Sequence, residues 1–247
     1  MKEYDEVAEF YIKKRSDKSR LDYNRDIEIP AMMKMLGVVK GKKILDMGCG
    51  FGDKAPKLIK KGAKSYVGFD TSKELLKFAK RYENSQISFS VGAMGKKLPY
   101  KSGSFDLIFS SLAVHYVKNL KTVFTEANRV LRRGGLFVFS TQHPVYNMIN
   151  TNKRHLIGMK KVKGKRIVYG DYFDESLKEY DMGKTAGILK IYPYTFQTFI
   201  KTSLNSGFEI VDYIDTKPIP ASRKYGPSKY NVAMKIPSFI IFKLKKK

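Results

Sequence analysis

The 247-residue chain has one cysteine, no tryptophan, three histidines, and only 23 Asp and Glu against 48 Lys and Arg. A single thiol excludes a disulfide framework and a multi-cysteine zinc site; no metal centre is expected, and a cytoplasmic location is. No apolar run approaches the roughly 18 residues of a membrane-spanning helix. The acidic opening MKEYDEVAEF lacks the apolar stretch of a signal peptide. Scarcity of acids leaves a formal net charge of +25, which suits a polyanionic partner. The basic residues are mostly lysines spread along the whole chain, however, a pattern that a solvated surface explains without any partner.

What is present is alternation. Tyr4, Val7, Ala8 and Tyr11 fall at helical spacing, the polar stretch Lys13 to Asn24 reads as a loop, and a helix is expected from Pro30 to Gly37. Short apolar runs at Ile44–Met47, Tyr66–Phe69, Ile87–Val91, Phe105–Phe109 and Leu136–Ser140 then interleave with helical stripes. Ser72 is placed to cap one of those helices, and Gly134-Gly135 to close another. Such a rhythm implies a doubly wound, mostly parallel sheet with helices on both faces, whose ligands bind outside the carboxyl ends of the strands. After Ser140 the rhythm breaks. A hairpin is expected around Lys163-Gly164, a helix through Phe196 to Leu204, and two closing strands at about Glu209–Ile214 and Val232–Phe242.

The sharpest local signal is Asp46-Met47-Gly48-Cys49-Gly50-Phe51-Gly52 between a strand and a helix, with Asp70 ending the next strand. Glycines permit a tight turn and close approach of a ligand to the backbone. An acid about 20 positions further on suits the two hydroxyls of a ribose. Dinucleotides and S-adenosylmethionine share that logic. The third glycine of the dinucleotide pattern would fall at 53, where Asp53 stands and would repel a pyrophosphate. S-adenosylmethionine carries no phosphate, and its positive charge suits Asp46 and Asp53.

Ile44 to Gly52 resembles the first motif of class I S-adenosylmethionine-dependent methyltransferases. Leu98-Pro99-Tyr100, Ser104 to Ile108 and Val130 to Gly135 resemble the subgroup that includes quinone-biosynthesis and small-molecule methyltransferases. The resemblance implies a seven-stranded Rossmann-like methyltransferase domain over residues 1–144 and 191–247, with an inserted lid or hairpin region at 145–190. It implies S-adenosylmethionine as cofactor and S-adenosylhomocysteine as product. Carried over by position, Gly48, Cys49, Gly50 and Gly52 lie under the methionine moiety beside Asp46, and Asp70 holds the ribose hydroxyls with Thr71 near the adenine. The family often has an acid near the adenine after the third strand; here the chain reads Gly92-Ala93-Met94, which leaves backbone and apolar contact to Ala93 and Met94. Ser110, Ser111 and Leu112 resemble the segment facing the ammonium and the methyl group. Cys49 reads as a packing residue rather than a nucleophile. His115 and His143 are the candidates for catalytic contact with the acceptor, while His155, among lysines, reads as exposed.

The segment after the fourth strand, Ser110-Ser111-Leu112-Ala113, lacks the Asn/Asp-Pro-Pro-aromatic loop of base amino-methyltransferases and the glutamate pair of arginine methyltransferases. Methylation of an O, N or C atom of a small molecule is the leading expectation. Lys153, Arg154, Lys160, Lys161, Lys163, Lys165 and Arg166 give the insert a basic block, followed by acids at Asp171, Asp174, Glu175, Glu179 and Asp181. The blocks either pair with each other or form a basic lid for an anionic acceptor. An RNA methyltransferase and a catalytically silent S-adenosylmethionine-binding protein are the alternatives.

Overall fold

A computed structural model describes residues 4–5, 7–146, 158–181 and 188–247. Helix α1 (Ala8–Ser16), a π-helical turn at Asn24–Glu28 and α2 (Ile29–Leu36) precede β1 (Lys43–Met47). Pro30 lies in the first turn of α2, where its missing N–H costs nothing, and the helix turns Met32, Met35 and Leu36 inward. Next come α3 (Ala55–Lys60), β2 (Ser65–Asp70), α4 (Lys73–Ala79), β3 (Ile87–Val91), β4 (Phe105–Ser110), α5 (Leu120–Val130) and β5 (Leu131–Gln142). Ser72 caps α4, its side chain accepting from Leu75 N at 3.1 Å. Two hairpins follow, β6 (Gly158–Val162) with β7 (Lys165–Tyr169) and β8 (Lys178–Asp181) with β9 (Ile188–Ile191). The chain then forms α6 (Phe196–Asn205), β10 (Phe208–Asp215), α7 (Pro227–Lys235) and β11 (Phe239–Lys246).

Seven strands pair in the order β10-β11-β5-β4-β1-β2-β3. The five strands from β1 to β5 are parallel, and β11 runs antiparallel between β5 and β10. Successive strand residues enter opposite layers, as the pleat demands. In β5, Phe137 and Phe139 join the layer under α5 and α6, while Val138 joins the layer under α2 and α3. In β4, Ile108 and its neighbours Leu107 and Phe109 divide in the same way. Burial on both faces is why these strands read as unbroken apolar runs. The direction of winding reverses between β1 and β4, so a crevice opens outside their carboxyl ends.

Three expectations need correction. Helix α1 continues to Ser16 through Lys13, Lys14 and Arg15, because basic residues in a last turn complement the helix dipole and need not break it. The apolar stretch from Val232 belongs first to α7, opened by Pro227 and burying only Ala233, so the last strand starts at Phe239. Gly134-Gly135 does not close α5; it lies within β5, where the pairing with β4 shifts register between Phe105 and Leu107. Among the described residues no helix is long and apolar enough to cross a membrane.

Phe124 of α5 is fully buried among Phe137, Phe139 and Phe208, with ring centroids 5.5, 5.2 and 6.5 Å away. Phe124→Ala is expected to lower unfolding free energy by about 3–5 kcal/mol, read from the urea midpoint at unchanged slope.

Candidate functional site

The loop after β1 is built around a carboxylate with no solvent contact. Asp46 is 0% exposed; its Oδ2 accepts from the Tyr66 hydroxyl at 2.5 Å and lies 4.0 Å from Lys54 Nζ, while Oδ1 has no hydrogen-bond partner. Burial pushes its pKa up to about 6, against the pull of Lys54 and Tyr66. Burial works against the Lys54 ammonium too, but Asp46, Asp53 and Glu28 hold it charged. Gly48 and Cys49 both donate to Phe69 O, at 2.9 and 3.0 Å, which ties the loop to the end of β2. Cys49 is buried and its thiol pKa is raised by that burial, as a packing residue's would be.

Two glycines show why side chains are absent. Gly48 has φ +81°, and a Cβ there would meet Ala113 Cβ at 2.6 Å and Met94 Cε at 3.2 Å, so the loops after β1, β3 and β4 converge on its backbone. Gly50 has φ +57° and nothing within 4 Å of a Cβ position. Its backbone borders open space, a cradle that a side chain would fill.

The segment after β4 is held by a buried glutamate that comes from the π-helical turn. Glu28 Oε1 accepts from Ser111 Oγ at 2.9 Å and Ser140 Oγ at 2.6 Å, and Ser140 Oγ accepts from Leu112 N at 2.9 Å. Ser110 Oγ donates to Met47 O at 2.8 Å and so joins the ends of β4 and β1. Leu112 has φ +53°, a left-handed conformation that costs a branched residue about 1–3 kcal/mol. Its packing near Leu21, Ile27 and Phe239 and its hydrogen bond to Ser140 hold it there.

Asp70 ends β2 with both oxygens engaged, Oδ2 by Gly50 N at 2.8 Å and Oδ1 by Ser72 N at 2.9 Å. A carboxylate offers about four acceptor positions, so two remain. Thr71 and Ala93 are half-buried beside it and at the end of β3 respectively; Met94 is buried in the core. The N-terminal segment lies across the same edge. Tyr4 OH is 3.0 Å from Tyr116 OH, Tyr11 packs edge-on to Phe51 at 6.2 Å, and Asp5 Oδ1 accepts from Ser72 Oγ at 2.6 Å.

The two candidate histidines differ. His115 is buried, its Nδ1 3.2 Å from Thr141 Oγ1, and burial lowers its pKa to about 4, so the ring is neutral at physiological pH. His143 has both nitrogens engaged. Nδ1 accepts from Val145 N at 3.1 Å, which leaves the proton on Nε2, 3.0 Å from Asp215 Oδ1. Burial lowers the His143 pKa, with Asp215 opposing.

A glycine cradle at the reversal point of such a sheet, with an acid ending the next strand, is matched in known proteins. Residues 45–139 match a family described as a methyltransferase domain. An S-adenosylmethionine-dependent methyltransferase from Mesorhizobium loti is 30% identical, with a TM-score of 0.72 over 89% of this chain and 97% of that one. The chain belongs to the S-adenosylmethionine-dependent methyltransferases. An uncharacterized Methanocaldococcus jannaschii protein is 31% identical over 81% of this chain and 79% of its own length. A demethylmenaquinone methyltransferase of Tropheryma whipplei is 34% identical over 46% of this chain and 48% of that one.

In this methyltransferase the loops carrying Asp46, Gly48–Gly52, Asp70, Met94 and Ser110–Leu112 are linked by direct contacts, as described, while His143 stands apart at the start of the insert, against Asp215 and Phe196. Sequence reasoning missed Arg15, Glu28 and Lys54, which supply the buried charge around these loops. Glu28 carried one faint signal, an acid two residues before a helix-opening proline. Asp53 is also less isolated than a charge count suggests. Burial disfavours its ionised form, yet Lys54, Lys57 and Arg15 keep its pKa below the ordinary value. The assignment to S-adenosylmethionine therefore rests on the relatives rather than on repulsion by Asp53.

A buried base with a lowered pKa makes stability depend on pH with a definite sign. Between about pH 6.5 and 4 the unfolded chain protonates His115 while the folded one does not, so stability falls as pH falls through that window. Relative to wild type, His115→Gln is expected to gain about 3 kcal/mol between pH 7 and pH 4, measured by urea unfolding of both proteins. Asp46 titrates in an overlapping window with opposite sign but is common to both, so it cancels in the difference.

Proposed function

We propose that this methyltransferase acts on a small, negatively charged acceptor taken in beneath the insert at residues 145–190, with residues 1–144 and 191–247 as the methyltransferase domain. The observation that carries this reading is the exposed basic hairpin. Lys160, Lys161, Lys163, Lys165 and Arg166 lie on β6, β7 and their turn, all exposed, and among the described residues no carboxylate pairs with them. Three of the acids that follow are occupied elsewhere. Asp174 pairs with Lys178, Glu179 with Lys190 at 3.1 Å, and Glu175 accepts from Thr195 N at 2.7 Å. Lys153, Arg154 and His155 lie outside the described residues. Uncompensated positive charge on a hairpin that follows the carboxyl end of β5 in the chain would concentrate anions around it. The relatives named as malonyl-[acyl-carrier protein] O-methyltransferase and demethylmenaquinone methyltransferase support a non-nucleic-acid acceptor.

In this reading the backbone of Gly48, Cys49, Gly50 and Gly52 lies under the methionine moiety. Asp70 takes the ribose hydroxyls with its two remaining acceptor positions, and Thr71, Ala93 and Met94 border the adenine. Asp46 orients the glycine loop from below, and Ser110, Ser111 and Leu112 face the ammonium and methyl group. When bound, S-adenosylmethionine would supply the methyl group of its sulfonium, with the thioether S-adenosylhomocysteine as the leaving group. Positioning by the chain then provides most of the acceleration. His115, neutral above about pH 4, accepts a proton from an acceptor that must lose one. His143, bonded on both sides, fixes where the insert leaves the sheet.

Calorimetry is expected to show S-adenosylhomocysteine binding with no comparable affinity for NAD. Asp70→Ala should weaken it by about tenfold to a thousandfold, the equivalent of two charge-assisted hydrogen bonds; unchanged affinity in a folded variant places the ribose elsewhere. Methyl transfer is expected to small carboxylated or phosphorylated acceptors. Replacing Lys160, Lys161, Lys163 and Lys165 together with Gln should raise the acceptor KM at low ionic strength and leave cofactor affinity unchanged, because exposed charges are screened beyond about 8 Å at physiological salt. An RNA acceptor is the second reading, favoured by the net charge of +25. It would show as a linear fall of log affinity with log salt whose slope follows the phosphates contacted. Cofactor binding without transfer to any of these acceptors marks a silent binding protein.

A further inference from the structure

Three of the buried side-chain atoms without a hydrogen-bond partner belong to residues linked to the loops of the crevice, Arg15 through Tyr11 and Phe51, Glu28 through Ser111, and Asp46 directly. Arg15 Nη1 belongs to a guanidinium whose side chain is only 9% exposed, and its nearest carboxylate contact is Asp22 Oδ1 at 3.7 Å. Glu28 Oε2 belongs to a carboxylate with no exposure, whose other oxygen already holds Ser111 and Ser140. Asp46 Oδ1 is the third. An unpaired buried polar atom is unfavourable, and more so when charged, so a buried cation and a buried anion that each keep an unfilled atom call for a ligand that satisfies both.

We propose that Arg15 and Glu28 form a zwitterion clamp, the guanidinium taking the α-carboxylate and the glutamate taking the α-ammonium of the cofactor's amino-acid end. This rests on the S-adenosylmethionine reading above and adds to it two residues outside the matched segment 45–139. An α-amino acid carries its two charges on groups of one carbon, so its site needs a cation and an anion at neighbouring places. Arg15 lies over the Tyr11 ring at 5.9 Å and Tyr11 packs on Phe51 of the glycine loop, while Glu28 is bonded to Ser111 of the segment after β4. Each also favours the other's charged form, against the burial that disfavours both. Asp46 is the weaker candidate for the ammonium, because it lies within β1, fully buried, where Tyr66 and Lys54 already hold its other oxygen. Lys54 is the weaker candidate for the carboxylate, because its ammonium already lies 4.0 Å from Asp46 and 3.8 Å from Asp53. Glu28 is also anchored to Ser111, in the segment after β4, so filling its free oxygen reports directly to the loop beside the transferring methyl group.

Calorimetry with three probes tests the clamp without turnover. The probes are S-adenosylhomocysteine, its decarboxylated analogue, and 5′-methylthioadenosine, which lacks the amino-acid end. Wild type is expected to bind them in that descending order. Arg15→Gln should weaken S-adenosylhomocysteine by about tenfold to a hundredfold, bind the decarboxylated analogue as wild type does, and leave 5′-methylthioadenosine unchanged. Glu28→Gln should weaken both amine-bearing probes and spare 5′-methylthioadenosine, and Arg15→Lys should keep part of the carboxylate preference. Thermal unfolding confirms that each variant is folded. If Arg15→Gln weakens all three probes equally, or still prefers the carboxylate by the wild-type factor, Arg15 is not the carboxylate ligand. Unchanged amine binding in folded Glu28→Gln removes the other half. Failure of wild type to bind any probe would instead overturn the cofactor reading itself.

Discussion

Much of this molecule follows from the burial of one carboxylate. Placing Asp46 at the inner end of β1 without solvent requires a hydrogen-bond donor and a cation nearby, and the chain supplies Tyr66 from β2 and Lys54 from the turn before α3. Lys54 then needs its own counter-charges, which draws in Asp53 and Glu28. Removing one partner of such a buried pair typically costs about 3–5 kcal/mol, because the other is left uncompensated. The glycine loop is thus clamped on one side by charge and on the other by Phe69 O, and its backbone is rigid before any ligand arrives.

A second constraint joins it from the opposite side of the crevice. Glu28 ties the segment after β4 to the helical turn ahead of the sheet through Ser111 and Ser140, and Ser140 lies in β5. One glutamate therefore joins, through two serine hydroxyls, segments from before β1, after β4 and within β5. The left-handed Leu112 is the visible strain in that arrangement. Such strain is tolerated where surrounding contacts over-determine the conformation. The N-terminal segment adds an aromatic cluster, Tyr4 against Tyr11 and Tyr116 and Tyr11 against Phe51 of the glycine loop, while Asp5 bonds Ser72.

The central strands were legible in the sequence because both of their faces are buried, which leaves short apolar runs such as those of β1 and β4 that local composition reveals. The glycine loop and Asp70 were legible because they lie close in sequence at strand ends. Arg15 and Lys54 were not, since nothing within a few residues distinguishes them from a solvated charge, and Glu28 had only the nearby Pro30 to mark it; contacts across the fold place all three in the interior. The error at Val232 has a related cause. Four or five mixed apolar residues fit a strand or one turn of helix equally well, and Pro227 with the docking of Ala233 decided for α7. In β5 the glycine pair carried the same ambiguity between a helix cap and a strand irregularity, settled by pairing with β4.

The position of β11 bears on how the molecule is made. It lies between β5 and β10, antiparallel to both, and its Lys246 ammonium bonds to Asn128 O at 2.6 Å and Leu131 O at 2.8 Å around the junction of α5 and β5. During synthesis the strands that build the crevice leave the ribosome long before residues 239–246 do. Over that interval β5 presents an open edge of apolar, unpaired backbone, the kind of surface that templates association between nascent chains. The late arrival of β11 therefore makes the β5 edge, rather than the ligand crevice, the surface at which an incomplete chain is most open to association.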